Sequence, residues 1–276
     1  MRLRPRVCGA VSVARMASEF LDLHHGDTPL LIPNPWDGGS ARLLASLGFR
    51  ALATTSSGFA GTLGRRDGGV TRDEALAHAA TIVAATALPV SADLENGFGH
   101  SPDDVAATIT AARGVGLAGG SIEDFTGDTG APVYAREAAV ERVAAAVAAA
   151  AGEFVLTARC ENLLHGVDDL TDTVERLQAY QEAGADVLYA PGLVRIADVE
   201  TVVRNVDRPV NVLLLDGGPS VAELAAAGAA RISVGGTFFY AAAGALIDAG
   251  KALLAGETSF YANAATGRKG AAAAFS

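Results

Sequence analysis

Short apolar runs alternate with longer, alanine-rich amphipathic segments from about residue 29 onward. Short apolar runs between turn residues predict buried strands, and segments with one apolar face predict helices. The predicted strands cover residues 30–33, 51–55, 90–93, 119–123, 154–159, 187–189, 210–214 and 232–234. The predicted helices begin near Gly39, Thr71, Pro102, Ala135, Leu170, Ile196 and Pro219, and a last helix covers residues 237–254.

Eight strands, each followed by a helix, are the pattern of a single (β/α)8 TIM barrel, and 276 residues suit that fold. An open, doubly wound parallel sheet is the alternative. No composition break suggests a second domain. We expect the barrel to cover residues 17–260. Residues 1–16 are expected to be an extension that is disordered or lies upstream of the true start, and residues 261–276 an alanine-rich tail.

Polar residues follow the ends of several predicted strands, where a barrel places its active site. Asp93 and Glu95 follow the third strand, Glu123 the fourth and Arg159 the fifth. Residues two apart on a strand share a face, so the first two carboxylates point the same way and repel each other unless a cation intervenes. A solvated turn, or neutralisation of the acids by the arginine in a structural ion pair, is the alternative.

Three carboxylates on neighbouring strand ends favour Mg²⁺, a hard cation that prefers oxygen ligands. Such an ion would stabilise the negative charge that develops on the oxygen of a 2-oxo acid or its enolate. Arg159 could then hold a substrate carboxylate by bidentate hydrogen bonds. Asn211, on the seventh strand, is a further candidate for substrate binding. Asp67 lies in a glycine-rich loop, which by spacing alone is a solvated surface loop.

The formal net charge of −10 argues against nucleic acid or an anionic membrane as the main partner. It does not exclude a small anionic carboxylic acid, which needs only a local cation. The two cysteines, Cys8 and Cys160, are far apart and lack metal-ligand spacing, which favours a reduced, cytoplasmic protein. We interpret Cys160 as a core residue. Because no run of eighteen uninterrupted apolar residues occurs, we expect no membrane span.

Seven motifs occur in order along the chain: Pro35-Trp-Asp-Gly-Gly-Ser-Ala41, Ser57-Gly58, Leu63-Gly-Arg-Arg-Asp67, Ala92-Asp-Leu-Glu-Asn-Gly-Phe-Gly99, Ser121-Ile-Glu-Asp124, Ala158-Arg-Cys-Glu161 and Ala183-Gly-Ala-Asp-Val187. In this order and at these spacings they resemble the isocitrate lyase/phosphoenolpyruvate mutase superfamily from about residue 31 to residue 234.

The resemblance implies a barrel that uses Mg²⁺, with Mn²⁺ as a substitute, and acts on 2-oxo acids through an enolate-like oxyanion. It implies that Asp93 is the direct metal ligand, and that Glu95 and Glu123 hold the metal through water. Arg159 would bind the substrate carboxylate.

The resemblance assigns further roles to two loops and to the chain end. Ser57 and Gly58 match a turn whose backbone contacts the substrate oxyanion and carboxylate, and Asp67 matches an aspartate of a gating loop. Superfamily members commonly exchange their eighth helix between subunits, which implies a homodimer or homotetramer.

The loop after the fourth strand departs from the superfamily pattern. The lyase branches carry Lys-Lys/Arg-Cys-Gly-His there, whereas this chain reads Phe125-Thr-Gly-Asp-Thr-Gly-Ala-Pro-Val-Tyr134. The leading interpretation is a lyase-type enzyme that cleaves a C–C bond of, or decarboxylates, a small 2-oxo or 2-hydroxy acid. P–C bond chemistry of the phosphoenolpyruvate or carboxyphosphonoenolpyruvate mutase type is second. Two further hypotheses are a phosphosugar enzyme and a catalytically inactive barrel used for binding or assembly.

Overall fold

The computed structural model describes residues 13–275, which form eight strands, eleven α-helices and one 3₁₀ helix (Leu23–His25). The strands are β1 (Leu30–Ile32), β2 (Leu52–Ala53), β3 (Val90–Asp93), β4 (Gly119–Glu123), β5 (Val155–Arg159), β6 (Val187–Tyr189), β7 (Val210–Leu213) and β8 (Arg231–Ser233). The helices are α1 (Val13–Asp22), α2 (Gly38–Ser46), α3 (Ser56–Thr62), α4 (Arg72–Ala85), α5 (Pro102–Gly114), α6 (Arg136–Ala150), α7 (Leu170–Glu182), α8 (Ile196–Arg204), α9 (Val221–Ala226), α10 (Thr237–Leu254) and α11 (Tyr261–Ala274).

All eight strands are parallel, in the order β1-β8-β7-β6-β5-β4-β3-β2. The two outer strands of this order lie next to each other, since the Ala53 N–H donates to the Pro33 carbonyl oxygen at 3.1 Å. The side-chain amide of Asn34 also donates to the Thr54 carbonyl oxygen at 2.9 Å. The sheet is therefore nearly closed, and the predicted (β/α)8 barrel is confirmed.

Helix caps explain why several elements begin where the sequence predicts. Thr71 and Glu74 form a reciprocal capping box at the start of α4. Ser101 caps α5 in the same way with Asp104, and Pro102 occupies the first turn, where its missing N–H costs nothing. Each cap satisfies backbone N–H groups that the helix itself leaves unpaired.

The N-terminal helix α1 closes one end of the barrel. Its Phe20 is fully buried in a cluster with Leu30, Val155 and Val187 from three strands. The helix begins at Val13, inside the extension expected for residues 1–16; residues 1–12 lie outside the described part of the chain. At the other terminus, α11 occupies the segment expected to be a tail, and it contacts α2.

Helix α10 is apolar yet has no buried residue. Leu246, Leu253 and Leu254 expose 74%, 65% and 92% of their surface. Within residues 13–275 it is the one helix long and apolar enough to cross a membrane. That is weak evidence for a membrane span, because apolar core helices of soluble proteins have the same length and composition. Exchange of this helix between subunits stays a prediction.

Candidate active site

A cleft of about 200 Å³ opens at the carboxyl ends of the strands and continues into the barrel interior. Small side chains on one side of the barrel, among them Ala53, Ser91 and Ser121, line it and leave this interior space open. The predicted site residues Ser57, Asp67, Asp93, Arg159 and Asn211 also line it. The structure therefore brings together residues from widely separated parts of the chain.

Arg159, at the end of β5, is the centre of an ion-pair cluster. Its Nη1 donates to Asp93 Oδ1 at 3.2 Å, its Nη2 lies 3.1 Å from Glu123 Oε2, and its Nε donates to Glu161 Oε1 at 2.8 Å. Burial alone would lower the pKa of Arg159, but the carboxylates of Glu161, Glu123 and Asp93 outweigh it and raise the pKa well above its usual value. The arginine is therefore a permanent cation.

The carboxylates outnumber this cation. Burial raises the pKa of Glu123 well above its usual value, and Arg159 opposes that rise. Burial, with added repulsion from Asp93 and Asp67, raises the pKa of Glu95 to about 7. Burial also raises the pKa of Asp67, against a hydrogen bond from the Ser56 side chain that lowers it. A second positive charge would relieve this repulsion.

Glu95 is held in an unusual backbone conformation. Its φ angle is +48°, in the left-handed region that non-glycine residues rarely adopt. Its N–H donates to Asp93 Oδ1 at 3.2 Å, and its carbonyl accepts the Glu123 N–H at 3.0 Å. Its carboxylate has no hydrogen-bond or ion-pair partner between residues 13 and 275. Backbone strain and an unpaired acid that lines a recess beside the cleft are features that functional sites share.

The acid cluster fits a hard cation in its chemistry, although it is not a ready-made cage. No group of three His, Cys, Asp or Glu side chains in the described residues is placed to hold a metal by itself. Mg²⁺ typically takes one or two carboxylates and keeps several waters. The donor set is therefore of the kind that suits Mg²⁺, while direct ligation by Asp93 and ligation through water by Glu95 and Glu123 stay predictions. The structural ion pair expected as the alternative is also partly present, since Arg159 pairs with two of these acids.

The Ser57-Gly58 turn lies in α3, a helix that the sequence pattern did not reveal. Thr55 caps this helix, because its hydroxyl accepts the Gly58 N–H at 3.3 Å. Gly58 is buried and does not line the cleft. A Cβ atom there would lie 2.5 Å from Thr55 Cγ2, so no side chain fits. The backbone role predicted for this turn stays a prediction.

Asp67 lies on the segment between α3 and α4 and borders both the cleft and a neighbouring recess of about 960 Å³. Glu95, Glu123 and Phe125 line the same recess. The Phe125 ring stacks on His165, with ring centroids 3.8 Å apart. The recess thus lies where the superfamily's lyase loop is expected, and an aromatic stack occupies part of its border. Movement of the Asp67 segment stays a prediction.

Two supporting residues were not assigned from the sequence. Glu161 is 1% exposed at its side chain and binds Arg159. Asp124 accepts the Glu161 N–H at 2.7 Å, and its other oxygen accepts the Tyr180 hydroxyl at 2.6 Å and an Arg176 N–H at 3.2 Å. The network fixes the backbone that carries Glu161. The sequence did contain a signal for both residues. Glu161 is two positions after Arg159 and so points to the same face, whereas Asp124 directly follows Glu123 and so points to the opposite face.

Cys160 and Asn211 complete the predicted positions. Cys160 is fully buried, and burial raises the pKa of its thiol, which leaves it inert as a nucleophile. Asn211 is 1% exposed, and both ends of its amide are occupied: its oxygen accepts from Arg231 and its nitrogen donates to Ser233. Substrate binding by Asn211 stays a prediction.

Closed parallel strands with charged groups at their carboxyl ends define a TIM-barrel enzyme. Sequence comparison narrows the class, because residues 20–254 match the phosphoenolpyruvate phosphomutase family. The chain belongs to that family, and with it to the isocitrate lyase/phosphoenolpyruvate mutase superfamily of lyases and mutases.

Individual relatives agree with this assignment. A Burkholderia cenocepacia J2315 structure described as a candidate lyase/mutase is 53% identical, with a TM-score of 0.87 over 90% of this chain and 91% of that one. The 2-methylisocitrate lyase of Escherichia coli K12 is 33% identical over 180 residues, which are 62% of this chain and 60% of that enzyme. Oxaloacetate acetylhydrolase in complex with its product oxalate is 27% identical, with a TM-score of 0.80 over 87% of each chain.

Proposed function

We propose that the protein is a Mg²⁺-dependent, lyase-type enzyme that cleaves a C–C bond of, or decarboxylates, a small 2-oxo or 2-hydroxy acid. The observation that carries this proposal is the acid cluster around Arg159 at one end of a small cleft. Its excess negative charge calls for a cation, and its arginine can bind a substrate carboxylate. Mg²⁺, or Mn²⁺ in its place, would polarise the 2-oxo group and stabilise the enolate charge.

The chain's own residues would bind and orient the acid. The guanidinium of Arg159 now pairs with Asp93, Glu123 and Glu161, so it would exchange part of these contacts for the substrate carboxylate. A lysine cannot reproduce its planar, doubly donating geometry. Ser57 lines the same cleft. Asp67 borders the cleft on the segment between α3 and α4, and its raised pKa makes it readier than an ordinary aspartate to hold a proton. These two features support Asp67 as a group that excludes water and exchanges a proton.

The relatives support small carboxylic acids as the substrate class. Their names include 2-methylisocitrate lyase, 2,3-dimethylmalate lyase and oxaloacetate acetylhydrolase. The loop after β4 lacks the cysteine and histidine of the lyase branches, so we assign no particular acid. P–C bond chemistry is the second candidate, favoured by the family match to phosphoenolpyruvate phosphomutase. We further propose a cytoplasmic homodimer or homotetramer in which α10 is exchanged between subunits.

Thermal unfolding with oxalate tests the proposal, because oxalate resembles the enolate of pyruvate. We expect oxalate to raise the melting temperature only when Mg²⁺ is present. At one hundred times its Kd, oxalate should raise the free energy of unfolding by about 2.7 kcal/mol. Asp93→Asn should abolish the metal dependence. Asp103→Asn, an exposed change on α5, is the control and should leave it intact. If no acid shifts the melting temperature, the inactive barrel is favoured. If inorganic phosphate alone shifts it, the phosphosugar enzyme is favoured.

A further inference from the structure

Arg231, on β8, lies inside the barrel and lines the inner part of the same cleft. It is 5% exposed. Its Nε donates to Asn211 Oδ1 at 2.9 Å, its Nη2 donates to Thr157 Oγ1 at 3.2 Å, and its Nη1 lies 3.2 Å from His24 Nε2. Three different parts of the chain therefore fix the position of this guanidinium.

All three partners are uncharged. His24 Nδ1 lies 2.9 Å from the Phe20 carbonyl oxygen, which can only accept, so Nδ1 carries the hydrogen. Its Nε2 then has a free lone pair for Arg231. Burial, with repulsion from Arg231, lowers the pKa of His24 to about 3, so the ring is neutral at neutral pH.

No Asp or Glu between residues 13 and 275 forms an ion pair with Arg231, in contrast to Arg159 and Arg176. Burial and the charge of Arg159 lower the pKa of Arg231 only to about 10, so it remains a cation. A buried charge without a counter-charge is costly, and proteins normally pair it. The position thus has an uncompensated positive charge that faces a cavity.

The guanidinium also has unused donors. Of its five N–H groups, three point to the partners above, which leaves one on each terminal nitrogen. Free N–H groups of a guanidinium are donors that suit the oxygens of a carboxylate. We propose that Arg231 forms an anion site at the inner end of the cleft, the floor site, which takes a carboxylate or a similarly small anion. The anion is either free in solution or the second carboxylate of a dicarboxylic substrate.

Free anions test the floor site without reference to catalysis. Sodium formate at constant ionic strength should raise the melting temperature saturably in the wild-type protein and not in Arg231→Gln. Arg142→Gln is the matched control, because Arg142 is also buried, binds backbone carbonyl oxygens and does not line the cleft. It should keep the formate response. Crystals soaked in bromide provide a test without a variant, since anomalous density should appear beside the Arg231 guanidinium.

The effect of Arg231→Gln on the binding of different acids distinguishes the two sources of the anion. The substrate source rests on the proposed function: with Mg²⁺ present, Arg231→Gln should weaken L-malate binding at least tenfold and leave oxalate binding unchanged. A formate response that depends on Arg231, with no change for malate, identifies a free anion. The floor site is refuted if neither formate nor malate depends on Arg231 and bromide is absent. If the wild-type protein does not bind oxalate in the presence of Mg²⁺, the proposed function is refuted instead.

Discussion

Acid should destabilise the protein through His24, which is 4% exposed and lies beneath the cleft. In the folded chain the pKa of this ring is lowered to about 3 from its usual value of 6.5. In the unfolded chain the ring takes up a proton as the pH falls through its usual value, whereas in the folded chain it does not. The contribution of neutral His24 to the free energy of unfolding is therefore fully present above pH 6.5 and is lost as the pH falls towards 3.

The magnitude follows from the two pKa values. Each pKa unit corresponds to about 1.4 kcal/mol, so lowering the pH from 7 to 5 should cost about 2 kcal/mol through His24 alone. His24→Gln removes the titration and keeps an acceptor for Arg231. We would measure the free energy of unfolding in urea for wild type and variant at both pH values. The difference between the two proteins isolates the contribution of His24, because contributions from other groups cancel.

The expected result is a wild-type protein whose advantage over His24→Gln shrinks by about 2 kcal/mol between pH 7 and pH 5. Ser46→Ala is the control, since Ser46 is exposed and carries no ionisable group. Its difference from wild type should stay constant. An advantage for wild type that is independent of pH, or that grows in acid, would refute a neutral buried His24 and the tautomer assigned to it.

Three further substitutions test the site and its support. Arg159→Lys should weaken oxalate binding with Mg²⁺ at least tenfold in calorimetry, because a single ammonium cannot replace the guanidinium fork; equal affinity would remove the carboxylate role. Cys160→Ala should cost about 1–2 kcal/mol in urea unfolding and leave oxalate binding unchanged, and a loss of binding would contradict its place in the core. Tyr180→Phe should cost about 1–3 kcal/mol, since buried Asp124 loses its 2.6 Å hydrogen bond; no measurable cost would mean that the bond contributes little.

The barrel was predictable because each strand is an apolar run and each helix carries local start signals. The bounds predicted for β3, β4, β6 and α10 agree with the structure to the residue. The helix α3 was missed because Ser56-Ser-Gly-Phe-Ala-Gly-Thr62 has weak helix propensity, and its cap by Thr55 becomes evident only in three dimensions.

The site residues at the ends of strands were predictable from the sequence. A residue whose position in the site depends on tertiary contacts was not. Asp93, Glu123 and Arg159 meet as the strand order requires. Arg231 begins its strand, at the end remote from the expected mouth, and only its length brings its head into the cleft. Sequence patterns give strand faces but not the reach of a side chain, so this cation was not predicted.

Metal binding by the acid cluster is the central claim, and paramagnetic resonance of Mn²⁺ tests it most directly. Addition of wild-type protein with oxalate should remove the free Mn²⁺ signal in proportion to the number of protein chains. Asp93→Asn should leave the signal unchanged under the same conditions. Equal loss of signal in both proteins would show that Asp93 is not a ligand, and no loss in either would contradict a metal-dependent site.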